Sequence, residues 1–578
     1  MDNMKSGVVG GSFLIKQTDL ENTFFPEDLT EEHQMIQHTA HQFITKEVHP
    51  RNKEIEEQQD FDVVVKLLKK AGELGLLAHS IPEKFGGLGL DKISKGIVGE
   101  ALGSAGGYSV THSNHTCIAT LPITYYGTKE QKEKYLPKLA SGEYIGAYCL
   151  TEPEAGSDAM AAKMTAVLND TKTHYLLNGT KIYITNAQFS DTFIVYAKVD
   201  GEHFTAFVLE KDFPGLSLGP EEKKMGIKGS STRTVIFEDC EVPVDNVIGE
   251  IGKGHIVAFT VLNLGRFNLG SACTGGAKHV FKQTIGHVQK RKQFHQVLAD
   301  FGATKEKIAK MAARLYASES IQYRTSYLLE KSLAGLDQEE DARRVRAGMS
   351  EYALECAICK VYGSETLDYL ADEGVQLHGG VGYISEYPIE QIYRDSRINR
   401  IFEGTNEVNR LLITGEFLKK SIKGVLPYKK AVKKAFHQIA KESIDTAMEL
   451  VEDLRALYIV MVEFARRKFE ENLESQQEII MKLSNLSIYL YASESVVLRT
   501  EKSAEDIELK KALRDTVLED SLNQIFLMVR QLEQELLENE TEISKQIYSS
   551  LMSYSFSQSI HRNRKIADKM YEKGEYAT

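Results

Sequence analysis

The stretch RIFEGTNEVNR, Arg400–Arg410, places one carboxylate, Glu403, after the apolar pair Ile401–Phe402 and directly before Gly404, with Arg397 and Arg400 close by. Two chemistries suit that arrangement. One is a salt bridge to a neighbouring arginine. The other is a catalytic base beside a backbone that must approach a ligand closely, which glycine permits. Other stretches carry chemistry as well. In YCLTEPEAGSDA (Tyr148–Ala159) a strand runs into a polar turn with Thr151, Glu152, Ser157 and Asp158 around Gly156. Such a turn offers N–H groups and hydroxyls to a planar hydrogen-bonding ligand or an anion, although an ordinary loop has the same composition. KIYITNA puts Tyr183 and Thr185 on one strand face at period two, a ring for stacking and a hydroxyl beside it. LNLGRFNLG holds Arg266 within an apolar helix, where pairing with a carboxylate is the plain alternative to ligand binding. QKRKQFHQ offers Arg291, Gln293 and Phe294 for a phosphate and a ring, or simply a solvated basic face. VQLHGGVGYISE sets Gln376 before Gly379, Gly380 and Gly382. It is neither a dinucleotide fingerprint after a strand nor a P-loop.

The elements that must position these residues fall into four blocks. Residues 25–143 read as helices after a lead of residues 1–24, with Thr30 as a start signal before LTEEHQ-type periodicity. Residues 144–251 change texture. Segments such as THYLLNGTKIYITNA, DTFIVYAKVD and TRTVIFEDCEVP alternate β-branched and aromatic residues between turn residues, which predicts a small all-β domain. Helical periodicity returns over 252–417. The segment 418–578 has only Gly424, Gly574 and Pro427 as breakers between long amphipathic stretches, which predicts a further helical domain. The fold class is therefore α+β, mostly α.

A chain of 578 residues is too long for one core, and its 42% apolar and 26% charged residues are those of a globular protein. A net charge of −12 argues against a general nucleic-acid binder. No apolar run reads as long enough to span a bilayer, and the first 25 residues lack the design of a signal or transit peptide. The expected location is the cytoplasm of a bacterial-type cell, or the mitochondrial matrix if a transit peptide has been removed. The six cysteines are scattered, as free thiols in a reducing compartment would be. Cys356 and Cys359 form one C-x-x-C in a helical context with no second ligand pair, so core packing is expected rather than a metal site.

C-L-T-E-P-E-A-G-S-D-A-M-A resembles the first acyl-CoA dehydrogenase signature. Q-L-H-G-G-V-G-Y-I-S-E followed by Asp395 resembles the second. The order helix, β, helix is also that of the family over residues 25–417. R-I-F-E-G-T-N-E, L-N-L-G-R-F, the GGSFL lead and the C-terminal extension are especially similar to the very-long-chain members. The resemblance implies the acyl-CoA dehydrogenase fold plus an extra C-terminal helical domain, and FAD-dependent oxidation of long-chain acyl-CoA to trans-2-enoyl-CoA, the first step of fatty-acid β-oxidation. It implies electron-transfer flavoprotein as acceptor and a homo-oligomer, by similarity a homodimer. No nucleic acid, metal or transmembrane segment is expected, and the extension either dimerises, touches a membrane surface or simply extends the fold.

By the same resemblance Glu403 is the α-proton base. Tyr148, Cys149, Leu150, Thr151, Ser157, Tyr183, Ile184 and Thr185 line the isoalloxazine, and Thr405, Asn406 and Glu407 complete the flavin site. Arg291, Phe294, Gln376, Leu377, His378, Gly379 and Gly380 hold the ADP half, partly from a neighbouring subunit. Ser157, Asn263 and Arg266 contact the CoA part, and Gly404 the thioester region. Some members carry the base just before the arginine equivalent to Arg266, where this chain has Gly265. The sequence departs from the family pattern at Tyr183, where many members have Trp, at Gln391, where a basic residue is usual, and at His295, where glycine is common. An oxygen-using acyl-CoA oxidase and a non-catalytic assembly protein on the same fold are the competing readings. Retention of Glu403, Arg266 and both flavin strands argues against the second.

Overall fold

The structure, a computed structural model, describes residues 8–336, 341–439, 444–537, 546, 549 and 553–578. Seven helices come first: α1 (Glu31–Phe43), α2 (Asn52–Glu56), α3 (Phe61–Glu73), α4 (Lys92–Leu102), α5 (Gly106–Thr116), α6 (Leu121–Tyr126) and α7 (Lys129–Ser141). Their starts are written locally. The Thr30 hydroxyl accepts from His33 N, Asp60 from Asp62 N and Val63 N, Asp91 from Ser94 N, and Thr128 from Gln131 N. Each satisfies an N–H that the first turn leaves without a partner.

Eight strands follow: β1 (Gly146–Cys149), β2 (Thr165–Leu168), β3 (His174–Thr185), β4 (Thr192–Val199), β5 (His203–Glu210), β6 (Leu216–Glu221), β7 (Thr232–Pro243) and β8 (Val247–Ile248). They pair in the order β6-β7-β3-β2-β4-β5-β8, with β1 added parallel to β4. β4 and β5 are buried along nearly their whole length because both of their faces are covered, which is why they read as continuous apolar runs.

The chain then returns to helices: α8 (Gly254–Val288), α9 (Gly302–Leu333), α10 (Ala342–Ser350), α11 (Ala353–His378), α12 (Pro388–Ser396) and α13 (Asn406–Ile422). Between α8 and α9 lies a two-stranded hairpin, β9 (Lys292–Gln293) and β10 (Gln296–Val297). Its tip residues Phe294 and His295 both have positive φ, 52° and 67°. That is the geometry of a tight hairpin turn, where glycine is ordinarily favoured, and it accounts for the glycine expected at position 295. α8 is, among the described residues, the one helix whose length and composition would suffice to cross a membrane. Most of its apolar window is buried inside the protein, between α4, α9 and α11. Cys356 and Cys359 are both buried in α11.

The last block comprises α14 (Tyr428–Gln438), α15 (Ala447–Phe469), α16 (Gln477–Lys502), α17 (Ile507–Leu536) and α18 (Ser559–Lys573). These helices do not stand apart. One continuous apolar core runs from Leu264 and Phe281 of α8 through Leu315 of α9 to Tyr458, Tyr491 and Leu532 of the extension. The lead is built into the same mass. Phe13 packs on Tyr491 with ring centroids 4.5 Å apart, and its carbonyl accepts from Arg455 Nε at 2.7 Å. Glu494 of α16 is fully buried between Arg324 of α9 at 2.5 Å and Arg455 of α15 at 2.6 Å, and accepts from Thr18 N at 3.0 Å. Arg499, five residues on, meets Glu27 of the lead at 3.0 Å, Glu319 of α9 at 2.7 Å and the Thr578 hydroxyl at 3.1 Å.

Candidate active site

The β-domain and the bundle close on a cavity of about 1060 Å³, at the upper edge of the roughly 300–1,000 Å³ of ordinary ligand sites. Its β-domain wall begins at the turn after β1. Glu152 is turned inward, where its carboxylate accepts from Lys163 N at 2.6 Å, Met164 N at 3.2 Å and the buried Lys181 Nζ at 2.7 Å. That internal ion pair pins the turn and leaves Thr151, Gly156 and Ser157 on the cavity side. β3 supplies the adjoining wall. Its alternation breaks before the cavity: the register to β7 shifts between Lys181 and Ile184, and Tyr183 has φ +60°. The simple period-two face read from KIYITNA is therefore a bulge. The bulge throws the Tyr183 ring outward, 64% exposed, while Ile184 turns into the β-domain core.

The opposite wall belongs to the bundle. Glu403 stands on the turn between α12 and α13 with φ +57°, followed by Gly404 at +79°. A non-glycine residue in the left-handed region is costly and persists only where its surroundings hold it. Glycine at 404 is thus required by the backbone, whereas the sequence suggested only space beside a ligand. The Glu403 carboxylate lies against α8. A methyl group placed on Gly265 would come 2.7 Å from Oε2. Oε2 has no hydrogen-bond partner among the described residues. Burial pushes the carboxyl up to about 7, against the opposing pull of Arg266 and Lys360. Arg266 is itself buried, with Nη1 donating to Asn263 Oδ1 at 2.6 Å and Nε unpartnered. A neutral-range carboxylate with an open oxygen beside an apolar-walled cavity is suited to taking a proton from carbon.

The seat on Gly265 yields a direct test. In Gly265→Ala the new methyl displaces the flexible end of Glu403, and kcat is expected to fall by about 10–100-fold, the scale of a misplacement near 1 Å. Steady-state turnover measures it, with the thermal midpoint as control for the fold. An unchanged rate would show that the carboxylate is not seated there.

The remaining residues divide clearly. Tyr148, Leu150, Thr151, Ser157, Tyr183, Ile184, Thr185, Asn263, Arg266, Gly404 and Thr405 border the cavity with Glu403. Cys149 does not, since its side chain is wholly buried in the β-domain core. Asn406 points inward, bonded to Ser364 and Glu365, and Glu407 is exposed away from the cavity wall. Arg291, Phe294, Gln376, Leu377, His378, Gly379 and Gly380 lie outside the cavity. Phe294 is 85% exposed, and His378 stacks on His287 at 4.2 Å. Arg291 and Phe294 stand at the hairpin between α8 and α9, and Gln376–Gly380 at the C-terminal end of α11, both away from the cavity wall.

Cavity residues that the sequence reading passed over include Cys117, Phe402, Val408 and Leu412, all apolar and without a local signal, and Arg346 and Lys419 at the rim. At Gln391, where a basic residue is common, the side chain bonds to Asp395 Oδ2 at 3.2 Å and accepts from Asn52 at 3.0 Å. Burial, with Glu56 nearby, pushes Asp395 up to about 7.

Comparison with known proteins agrees with this architecture. The chain matches the acyl-CoA dehydrogenase N-terminal domain over residues 30–143, the middle domain over 147–240, the C-terminal domain over 252–418, and a further acyl-CoA dehydrogenase C-terminal domain over 453–542. It is 47% identical to a probable acyl-CoA dehydrogenase of Bacillus subtilis over 531 residues, 89% of each chain. It is 35% identical to the mitochondrial very long-chain specific acyl-CoA dehydrogenase of Bos taurus over 474 residues, 75% of this chain and 69% of that one. A crystal structure of an acyl-CoA dehydrogenase complexed with FAD from Bacillus anthracis superposes with a TM-score of 0.96 at 45% identity, covering 99% of this chain and 100% of that one. The chain belongs to the acyl-CoA dehydrogenase family. It is an enzyme of that family, an oxidoreductase, with the extra helical domain at its C-terminal side.

Proposed function

We propose that this enzyme dehydrogenates long-chain acyl-CoA thioesters to trans-2-enoyl-CoA, with Glu403 as the α-proton base and electron-transfer flavoprotein as electron acceptor. The observation that carries the reading is Glu403 itself, a buried carboxylate raised into the neutral range with one oxygen open beside the cavity. The cofactor is FAD, and the residues present fit it. The hydroxyls of Thr151, Ser157 and Thr185 border the cavity without a hydrogen bond to any described residue, and the Tyr183 ring stands free for stacking. FAD when bound supplies a hydride acceptor for the β-hydrogen.

The chain supplies the rest. Glu403 takes the α-proton, and its raised proton affinity makes it strong enough to do so near neutral pH. Its backbone N–H is the candidate donor to the thioester oxygen as negative charge grows there. Phe402, Leu412 and Ile118 wall the cavity with apolar surface, so an acyl chain lying there excludes water from the base. Long-chain preference is supported by the likeness to the very-long-chain relatives and by the additional C-terminal helical domain. The exposure of the Arg291–Phe294 hairpin and of Gln376–Gly380 supports a second subunit completing the cofactor site, as a homodimer. We assign the activity to the cytoplasm of a bacterial-type cell.

The test is anaerobic titration of the purified protein with palmitoyl-CoA and a set of shorter acyl-CoAs. Bleaching of the flavin band with a long-wavelength charge-transfer band is expected, most completely with the long chains. A flavin that stays oxidised with every acyl-CoA would overturn the reading. Bleaching only with short chains would overturn the chain-length part alone.

A further inference from the structure

Lys360 lies in the middle of α11 with none of its surface exposed. A lysine so placed must find partners or shed its charge. Its ammonium donates to the Gly404 carbonyl at 2.8 Å and to Asn406 Oδ1 at 2.6 Å. Asn406 is fixed in turn, donating to Ser364 Oγ and Glu365 Oε1, both at 3.1 Å. A second amide, Asn409 Nδ2, reaches the same Gly404 carbonyl at 2.8 Å and the Thr405 carbonyl at 3.0 Å. The two consecutive left-handed residues, Glu403 and Gly404, are therefore fastened from inside the bundle by one buried cation and one amide.

We propose that Lys360 is the positioning residue for the base: it clamps the left-handed Glu403–Gly404 turn from beneath and keeps a positive charge close behind the carboxylate that takes the proton. This rests on Glu403 being the base. A positive charge there favours the ionised form of Glu403 before the reaction, and the clamp spares the turn its relaxation into an unstrained conformation that would carry the carboxylate away from Gly265.

Charged and titratable groups reach Lys360 from each element packed on it. Arg266 and the Cys273 thiol come from α8, Glu365 from α11 itself, and Glu403 from the turn. Burial dominates and pushes the ammonium down to about 8, while burial pushes Glu403 up to about 7. The working form, with Glu403 ionised and Lys360 charged, thus peaks in a narrow window between the two values. Below about 7 Glu403 gains a proton, and above about 8 Lys360 loses one. The profile of kcat/KM against pH is expected to be a bell with both limbs near neutrality.

The experiment compares pH profiles of wild type, Lys360→Met and Lys360→Arg, with the acyl-CoA that gives the fastest turnover. Lys360→Met is expected to lose the alkaline limb, to move the acid limb upward by about one unit as a neighbouring positive charge is removed, and to lower kcat at least about tenfold, with KM changed by less than about threefold. Lys360→Arg keeps its charge throughout. It is expected to lose the alkaline limb, retain the acid limb and recover part of the rate. An acid limb that stays in place in Lys360→Met, or a loss confined to KM, overturns the proposal. Should Lys360→Met fail to hold flavin, Lys360→Arg decides: an alkaline limb that persists there overturns it. Failure of the base reading itself is separable, since Glu403→Gln leaves Lys360 intact and would then turn over.

Discussion

Glu403→Gln is expected to bind flavin and acyl-CoA and to turn over at least about 1000-fold more slowly, within the 10²–10⁴ range of a positioned general base. The amide keeps the shape of the side chain on Gly265 and cannot accept the α-proton. The physical argument also fixes the pH behaviour. The base acts only when ionised, so wild-type activity rises with pH through the value near 7 set by burial. The residual activity of the variant should show no such rise. Because the neutral amide pays no desolvation of a charge, its thermal midpoint at pH 8 should not fall below wild type. Stopped-flow bleaching of the flavin reads the rate, and calorimetry reads the midpoint. Bleaching within tenfold of wild type would remove Glu403 from the role.

The second large effect concerns stability. Glu494→Gln leaves Arg324 and Arg455 buried with a neutral partner, and stability is expected to fall by about 3–5 kcal/mol, the usual result of breaking a buried pair from one side. Burial alone would raise the Glu494 carboxyl; Arg324 and Arg455 outweigh it and hold it below its ordinary value. A carboxylate depressed in the folded state contributes stability above its unfolded value, near 4.5, and loses that contribution as pH falls through the folded one. The wild type should therefore lose its advantage over Glu494→Gln progressively below about pH 4.5. Urea unfolding followed by circular dichroism at pH 7 and at pH 4 measures both. An unchanged midpoint at pH 7 would show that the network carries no such weight.

What could be read in the sequence was what is local. Caps such as Thr30 and Thr128 sit three residues from the N–H they satisfy, and they mark helix starts correctly. The pair Glu403–Gly404 shows a carboxylate beside a permissive backbone because both parts of the signal are adjacent, while the choice between salt bridge and base came only from the family resemblance. The β-domain shows because alternation is a short-range pattern. Three kinds of feature escaped. The bulge at Tyr183 depends on register with β7, some fifty residues away. Lys360 looked like one lysine in CAICKVYG, and its meaning lies in a carbonyl 44 residues later. The extension was legible as helices, but its union with the bundle was not, because amphipathic faces do not say what they face. Among the site residues, side-chain direction decided the outcome: Tyr148 and Leu150 reach the cavity, while Cys149 between them alternates into the core.

The buried triad around Glu494 also has a consequence in time. Arg324 is made 170 residues before the carboxylate that neutralises it. At about 5–20 residues per second of synthesis, the cation waits roughly 10–35 s for its partner to leave the ribosome. During that interval α9 could take its final place only at the cost of burying a guanidinium whose carboxylate has not yet been made.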